Sequence, residues 1–479
     1  MAGTVMTDAE RIAALKAERD RALARAYELS VAYLQALDER HVGAVTDARG
    51  IRERLRSELT DGGEDAEVVV ADMAAALDPG IVASTGPRYY GFVIGGALPA
   101  ASAADLLTTA WNQNGALHAL SPAAAAAEEI AGEWMLDLLG LPADASVGIP
   151  TGAGLGNAVG MAAARHRLLQ RTGWDVEASG LYGAPEITVV IGDEAHATVL
   201  TALQYLGFGR ERVTRIAVDE QGRMRLDAFR EAAAGLDPEA PLLVVTQAGN
   251  VNTGGFDPVG EIADELASHP NAWIHVDGAF GLWAAVSPDL RHLVAGVEKA
   301  DSWSTDAHKW LNAGYDSGFV AVRDPEAHRA AMAATAAYLL RSDQRESWEY
   351  VFDSSRRARG FALYAAIRSM GRDGIREMVE RCCRLARRMA DQLAEAGVEI
   401  LNDVRLNQVL ARFGDDRRTQ AVIARVQADG TAWMGGTSWH GMGAMRISVS
   451  NWSTTEADAD ASAQAILRAL AEVDRAEPL

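Results

Sequence analysis

Two short stretches decide how this chain folds: Trp273-Ile274-His275-Val276-Asp277 and Asp306-Ala307-His308-Lys309-Trp310. The first is an apolar run ending in a carboxylate, the pattern of a buried strand with a functional group at its carboxyl end. The second sets a lysine behind a histidine, just after Asp301-Ser302-Trp303-Ser304-Thr305, itself the pattern of a buried strand end. A lysine amine can hold an aldehyde as a Schiff base. A carboxylate can keep a pyridine nitrogen protonated, so that the ring accepts electrons. Lys309 and Asp277 are therefore the expected working pair of a pyridoxal 5'-phosphate site. Taken singly, Lys309 would be a solvated surface charge and Asp277 a helix N-cap.

Outward from this pair, apolar strand candidates recur at Ser146–Ile149, Ile187–Ile191, Val213–Val218, Leu242–Thr246, Trp273–Val276 and Phe319–Val322. Helical stretches separate several of them, including Leu155–Leu169, Ala195–Leu206 and Pro258–Leu266. Such alternation predicts an α/β fold, a mostly parallel sheet covered by helices on both faces. Beyond Arg359 a long helical stretch runs to about Ala396. Shorter strands follow near Gln408–Arg412 and Met445–Val449, then a final helix over Thr455–Val473. We expect three parts: a helical segment over 1–100, a large cofactor-binding domain over 101–350 and a small α+β lobe over 351–479. The first segment opens with a long helix from about Asp8 to Arg40, whose stripe includes Ile12, Leu15, Leu23 and Leu29. A terminal helix of that length cannot bury its stripe alone, so it is expected to pack on a partner chain; the alternative is a helix lying on its own domain.

Thr151-Gly152-Ala153-Gly154-Leu155-Gly156-Asn157 follows a strand and opens a helix. Small residues let backbone N–H groups approach an anion, and a helix start favours negative charge. The loop is assigned to the cofactor phosphate, with Ala153 and Gly154 as donors. A dinucleotide would ask for Gly-x-Gly-x-x-Gly, which is absent. His196, just past another strand, is the candidate to stack on the pyridine ring, against a capping or packing role. Asn250, in Gln247-Ala248-Gly249-Asn250-Val251-Asn252, is the candidate partner of the ring hydroxyl.

Composition narrows the class. The chain has 479 residues and a formal charge of −21, which argues against a nucleic-acid partner. Nearly half the residues are apolar, as in a soluble globular protein. No run is long and charge-free enough to span a bilayer, and Met1 to Arg11 lacks the apolar core of a signal peptide. The adjacent Cys382 and Cys383 fit neither a zinc spacing nor a disulfide framework, so no metal site is expected. The expected compartment is the cytoplasm.

Together these residues resemble the pyridoxal-phosphate group II amino-acid decarboxylases, the family of aromatic-L-amino-acid, histidine and glutamate decarboxylases. The resemblance runs in order from about Pro87 to Asn451, and the histidine-lysine-tryptophan sequence combined with His196 and Asp277 is specific. It implies the aspartate-aminotransferase fold, fold type I, as an obligate homodimer with sites at the interface. By the same resemblance Lys309 carries the cofactor, His196 stacks on its ring, Asp277 salt-bridges its nitrogen and His308 contacts its phosphate. Tyr338, in Ala337-Tyr338-Leu339, matches the mobile-loop tyrosine that protonates the substrate carbon. The related oxygen-consuming aldehyde synthases typically carry phenylalanine there. Tyr89, Tyr90, Phe92 and Trp111 fall in segments that line the family's substrate pocket; plain core packing is the alternative. An aromatic lining suits an aromatic substrate.

The implied activity is decarboxylation of an L-amino acid to its amine. The same fold also hosts oxidative aldehyde synthases, aminotransferases and aldolases, and a non-catalytic pyridoxal-phosphate-binding protein is the reading from another class. Two departures stand out. Asp306-Ala307 replaces the asparagine and proline common before the histidine, and a carboxylate beside a phosphate is repelled unless protonated or turned away, leaving Thr305 to take over the contact. Gly154 stands where a hydroxyl residue is common.

Overall fold

The computed structural model describes residues 6–333 and 344–476. Tyr338 lies outside the described residues.

Seven short apolar runs form one sheet: β1 (Ser146–Gly148), β2 (Thr188–Gly192), β3 (Thr214–Ile216), β4 (Leu242–Gln247), β5 (Ala272–Asp277), β6 (Ser302–Asp306) and β7 (Gly318–Val322), in the order β1-β7-β6-β5-β4-β2-β3. Neighbours from β6 through β3 are parallel. β7 alone runs against its neighbours β1 and β6. Every residue of β4, β6 and β7 is buried, so the sheet is covered on both faces. This is the expected fold type I architecture. The register aligns Gln247, Asp277 and Ser304 across three strands, which brings their carboxyl ends to one edge.

The Ala153–Arg171 helix crosses β5, β6 and β7 and fixes the glycine loop above that edge. Its approach depends on missing side chains. A Cβ at Gly160 would lie 2.6 Å from Nδ1 of His275 and 3.1 Å from Oγ of Ser302; one at Gly156 would meet Cβ of Ser304 at 3.0 Å. His275 cannot step aside cheaply. Its Nδ1 faces Ser302 Oγ at 2.8 Å and its Nε2 faces Asn157 Oδ1 at 2.9 Å, all without contact with water. Burial pushes that imidazole down to about 3, so the ring is neutral.

The Gly360–Glu395 helix, broken at Gly371 where φ is +60°, leads to a second, antiparallel sheet. Its strands are β8 (Glu399–Ile400), β9 (Gln408–Arg412), β10 (Gly435–Trp439) and β11 (Met442–Ser448), in the order β10-β11-β9-β8. β10 was not among the expected strands, since Gly435-Gly436-Thr437-Ser438 lacks apolar alternation. His440 and Gly441, both at positive φ, turn the β10–β11 hairpin. Cys382 and Cys383 are buried thiols in the long helix.

The N-terminal helix spans Asp8–Gln35, shorter than the expected run to Arg40, and begins in a capping box between Thr7 and Glu10. None of its residues is buried, and Ile12, Leu15, Leu23 and Tyr27 stay exposed. Its neighbour, the Ala66–Leu77 helix, is no better covered. No helix among the described residues is long and apolar enough to cross a membrane.

Gly160→Ala is expected to lower the unfolding free energy by about 1–3 kcal/mol, the usual effect of forcing a group into a packed interior. Urea unfolding checks this; an unchanged midpoint would mean that His275 and Ser302 yield.

Candidate active site

The carboxyl ends of parallel strands are where open α/β sheets collect ligand groups, and here they converge on one cleft. Asp277 ends β5 and Asp306 ends β6, with Lys309 one turn later. His196 follows β2 as the N-cap of the Ala197–Tyr205 helix. Ala153 and Gly154 open the Ala153–Arg171 helix. These six residues, with Thr198 and Gln247, line one cleft. A larger surface groove, near Glu380, Arg384 and Arg388, lies elsewhere; its charges pair among themselves, as in Arg388–Asp460 at 2.6 Å, and it holds none of the expected site residues.

The chain contains three lysines: Lys16, Lys299 and Lys309. Lys16 is exposed on the N-terminal helix and Lys299 is exposed beside Asp264. Lys309 alone sits in a cleft, its Nζ 2.8 Å from Asp306 Oδ2. The backbone around it is held closely. A Cβ at Gly95 would fall 1.7 Å from the Lys309 carbonyl oxygen. Asn312, at φ +55°, receives the N–H of Gly96 at 2.5 Å and of Trp452 at 3.1 Å, and donates to the carbonyls of Trp310 and Ser450. One side chain thus ties three segments under the lysine.

Asp277 is buried and makes no direct ion pair among the described residues. Burial raises its carboxyl above the usual range, while His196, Lys309 and the Asn157 amide favour the charge and Asp306 opposes it. Asn157 Oδ1 takes His275 Nε2 and the Ser304 hydroxyl, which leaves its amide nitrogen, without a well-formed hydrogen bond, beside Asp277. His196 is oriented by Thr198, whose N–H reaches Nδ1 at 3.3 Å and whose hydroxyl lies 2.8 Å away. A backbone donor on Nδ1 puts the ring proton on Nε2. Burial lowers the ring below its usual range against the pull of Asp277, so it is neutral.

Other expected residues land differently. His308 stacks on Tyr315, centroids 4.2 Å apart, and its buried Nδ1 has no hydrogen-bond partner. Asn250 does not reach the cleft: its Oδ1 accepts the N–H groups of Asn252 and Thr253, and its Nδ2 turns to the Glu194 carbonyl. The side chain holds its own turn. Thr305 points away from the glycine loop, its hydroxyl toward the Ala279 carbonyl, because successive strand residues face opposite sides. Asp306 faces the loop instead.

None of Tyr89, Tyr90, Phe92 and Trp111 lines the cleft within one chain. Tyr90 is closed in the core with its hydroxyl on Ser462. Tyr89 and Phe92 stack on Trp433, while Trp111 meets Phe361 edge-on and is half exposed. Arg446, on β11, was not expected. Its guanidinium contacts Asn252 Oδ1 at 3.3 Å, is mostly out of water, and makes no ion pair among the described residues. Only its place in the folded second sheet reveals it.

A lysine in a cleft, a buried carboxylate and a glycine-opened helix at the carboxyl edge of this sheet define a fold type I pyridoxal-phosphate enzyme. The sequence profile of the pyridoxal-dependent decarboxylase conserved domain matches residues 50–413. The chain belongs to that family, the pyridoxal-phosphate-dependent carboxy-lyases that act on amino acids, and its cofactor is pyridoxal 5'-phosphate. It is 28% identical over 364 residues to tryptophan decarboxylase 1 of Oryza sativa subsp. japonica, covering 71% of this chain and 69% of that protein. It is 26% identical to 4-hydroxyphenylacetaldehyde synthase of Rhodiola rosea, covering 84% and 85%. It is 27% identical to an acidic amino acid decarboxylase of Homo sapiens, covering 72% and 66%. The fold matches the crystal structure of Oryza sativa TDC with PLP and tryptamine, with a TM-score of 0.86, 24% identity and coverage of 94% and 97%.

The cleft fits this cofactor. His308 Nδ1 is a buried polar atom in want of a partner, and Asp277 is a buried carboxylate in want of a cation. The first turn of the Ala153–Arg171 helix offers backbone donors that no helix satisfies internally. One feature opposes the fit: Asp306 Oδ1 already receives the Ala153 N–H at 2.5 Å.

Because burial raises the Asp277 carboxyl, its charge opposes folding once pH exceeds the unfolded value of about 3.9. Asp277→Asn, an isosteric exchange, is expected to stabilise the cofactor-free chain by about 1–2 kcal/mol at neutral pH, with the gain fading toward about pH 4. Thermal melts across pH check this. A less stable variant throughout would mean that His196 and Lys309 outweigh burial.

Proposed function

We propose that the chain converts an L-amino acid with an aromatic side chain to its amine and carbon dioxide. The observation that carries the reading is that Lys309 and Asp277 line one cleft together with a histidine that burial keeps neutral.

Pyridoxal phosphate, when bound, supplies a sink for the electron pair left behind as carbon dioxide departs. Lys309 is the amine that would hold the cofactor's aldehyde. Asp277 supplies a negative charge fixed before the reaction begins, where the pyridine nitrogen must keep its proton. His196 offers a flat uncharged ring whose orientation Thr198 sets. Ala153 and Gly154 offer N–H groups, and His308 its free Nδ1, to the phosphate. Tyr338, by its match to the mobile-loop tyrosine, returns a proton to the α-carbon, which favours amine over aldehyde.

A homodimer is part of this reading. The uncovered stripe of the N-terminal helix and the exposed Phe92 and Trp111 are surfaces that a second copy would bury, with the aromatics delivered to its cleft. The charge and the absence of a long apolar helix among the described residues suit the cytoplasm.

Arg446 favours a second reading. A guanidinium on the departing carboxylate would stabilise substrate more than transition state, so it suits a carboxylate that stays, on an acidic side chain. Four relatives, from four organisms, are named for acidic amino acids.

Incubating the purified protein and pyridoxal phosphate with a panel of L-amino acids, while carbon dioxide, amine, aldehyde and peroxide are quantified, separates these readings. We expect amine and equal carbon dioxide from aromatic substrates, and none from Lys309→Ala. Preference for aspartate or glutamate would move the substrate class; aldehyde with peroxide would move the reaction; turnover by Lys309→Ala would remove the lysine from it.

A further inference from the structure

Asp306 is the group in the cleft whose presence the cofactor alone does not explain. Its carboxylate is almost wholly buried and holds two partners. Oδ1 receives the N–H of Ala153 at 2.5 Å, the first donor of the helix that opens the glycine loop. Oδ2 lies 2.8 Å from Lys309 Nζ. In the cofactor-free chain the carboxylate thus occupies a donor meant for phosphate and neutralises the amine meant for the aldehyde. Both partners must change when the cofactor enters. A phosphate monoester approaches a dianion above its second pKa of about 6, and a second anion beside it is repelled. A lysine side chain in water stays protonated to about pH 10, and an ammonium has no lone pair with which to attack a carbonyl.

We propose that Asp306 is the proton acceptor for Lys309 during capture of the cofactor. Lys309–NH3+ and Asp306–COO− become Lys309–NH2 and Asp306–COOH, with no net gain or loss of protons. The amine nitrogen then bonds to the aldehyde carbon, and its two remaining protons leave with the carbonyl oxygen as water. The same transfer removes the negative charge beside the phosphate, and the carboxylic acid can donate where the carboxylate repelled. An asparagine at this position could bind phosphate but could not take the proton.

The other groups around the pair compete poorly for this proton. His308 Nε2 lies 3.5 Å from Asp306 Oδ1, yet burial lowers that imidazole below its usual range. His196, from the start of the Ala197–Tyr205 helix, is likewise neutral. Tyr315 is pushed up to about 12, by burial and by Asp306 itself, and is no acid at neutral pH. Asp277, from β5, adds negative charge that holds protons in the cleft. Arg446, from β11, acts on His196 and makes no ion pair with Asp306. Lys309 is thus the one cation in direct contact with the carboxylate among the described residues.

This rests on Lys309 as the cofactor lysine, and the test separates the two claims. Pyridoxal phosphate is mixed with the full cofactor-free chain, and growth of the bound cofactor's visible absorbance is timed across pH for wild type and Asp306→Asn. Binding of inorganic phosphate is measured alongside by thermal shift. The amide keeps an acceptor for Ala153 N–H; Asp306→Ala, which adds nothing to place, serves if the amide variant does not fold. We expect capture by the variant to slow at least ~10-fold near neutral pH, equal to about 1.4 kcal/mol, and to recover as pH rises toward the lysine's own range. Inorganic phosphate should bind the variant more tightly than wild type. Capture at the wild-type rate with the wild-type pH profile would overturn the proposal while leaving Lys309 in place. A wild-type chain that never captures the cofactor would overturn both.

Discussion

A carboxylate kept from water at the end of the central strand is the constraint around which the rest of this protein is arranged. Asp277 cannot be buried cheaply, because an uncompensated charge in a low-dielectric interior costs several kcal/mol. The chain surrounds it with partial remedies: the Asn157 amide beside it, the more distant charge of Lys309, and His196 close by. None is a direct ion pair. A site left in that condition is stabilised by a ligand cation, and a protonated pyridine nitrogen is such a cation. The arrangement gives up stability in the free chain for a fixed charge at the place where the reaction needs one.

Holding that charge in place requires close packing behind it. Gly156 and Gly160 let the Ala153–Arg171 helix lie directly on β5, β6 and β7. That contact aligns the glycine loop with the carboxyl ends of β5 and β6, and it buries the His275, Ser302, Ser304 and Asn157 network beneath Asp277. On the opposite side Asn312 and Gly95 fix the backbone of Lys309. The lysine and the carboxylate are therefore positioned by separate elements that meet only in the folded sheet.

Much of this was legible in the sequence, for physical reasons. Strands buried on both faces read as continuous apolar runs, so β2, β4, β5 and β7 were found close to their true limits. Lys309, Asp277 and His196 stand at strand ends, where a polar group after an apolar run is conspicuous. What escaped was long-range or conformational. β10 is glycine-rich, and only its pairing with β11 makes it a strand. Asn250 looked like a ligand group, but an asparagine can instead hydrogen-bond its own backbone. Arg446 lies far along the chain and reaches the site only through the second sheet. Tyr89 and Tyr90 pack within one chain, while Phe92 and Trp111 remain exposed, a distinction that sequence spacing cannot make.

The central claim is that one lysine of three carries the cofactor, and its chemistry offers a direct test. Borohydride added to the protein with bound pyridoxal phosphate fixes the cofactor covalently to whichever lysine holds it, and peptide mass mapping then locates the label. The account predicts a single pyridoxyl adduct on Lys309, with Lys16 and Lys299 unmodified. An adduct on either exposed lysine with Lys309 free, or no adduct at all, would contradict it.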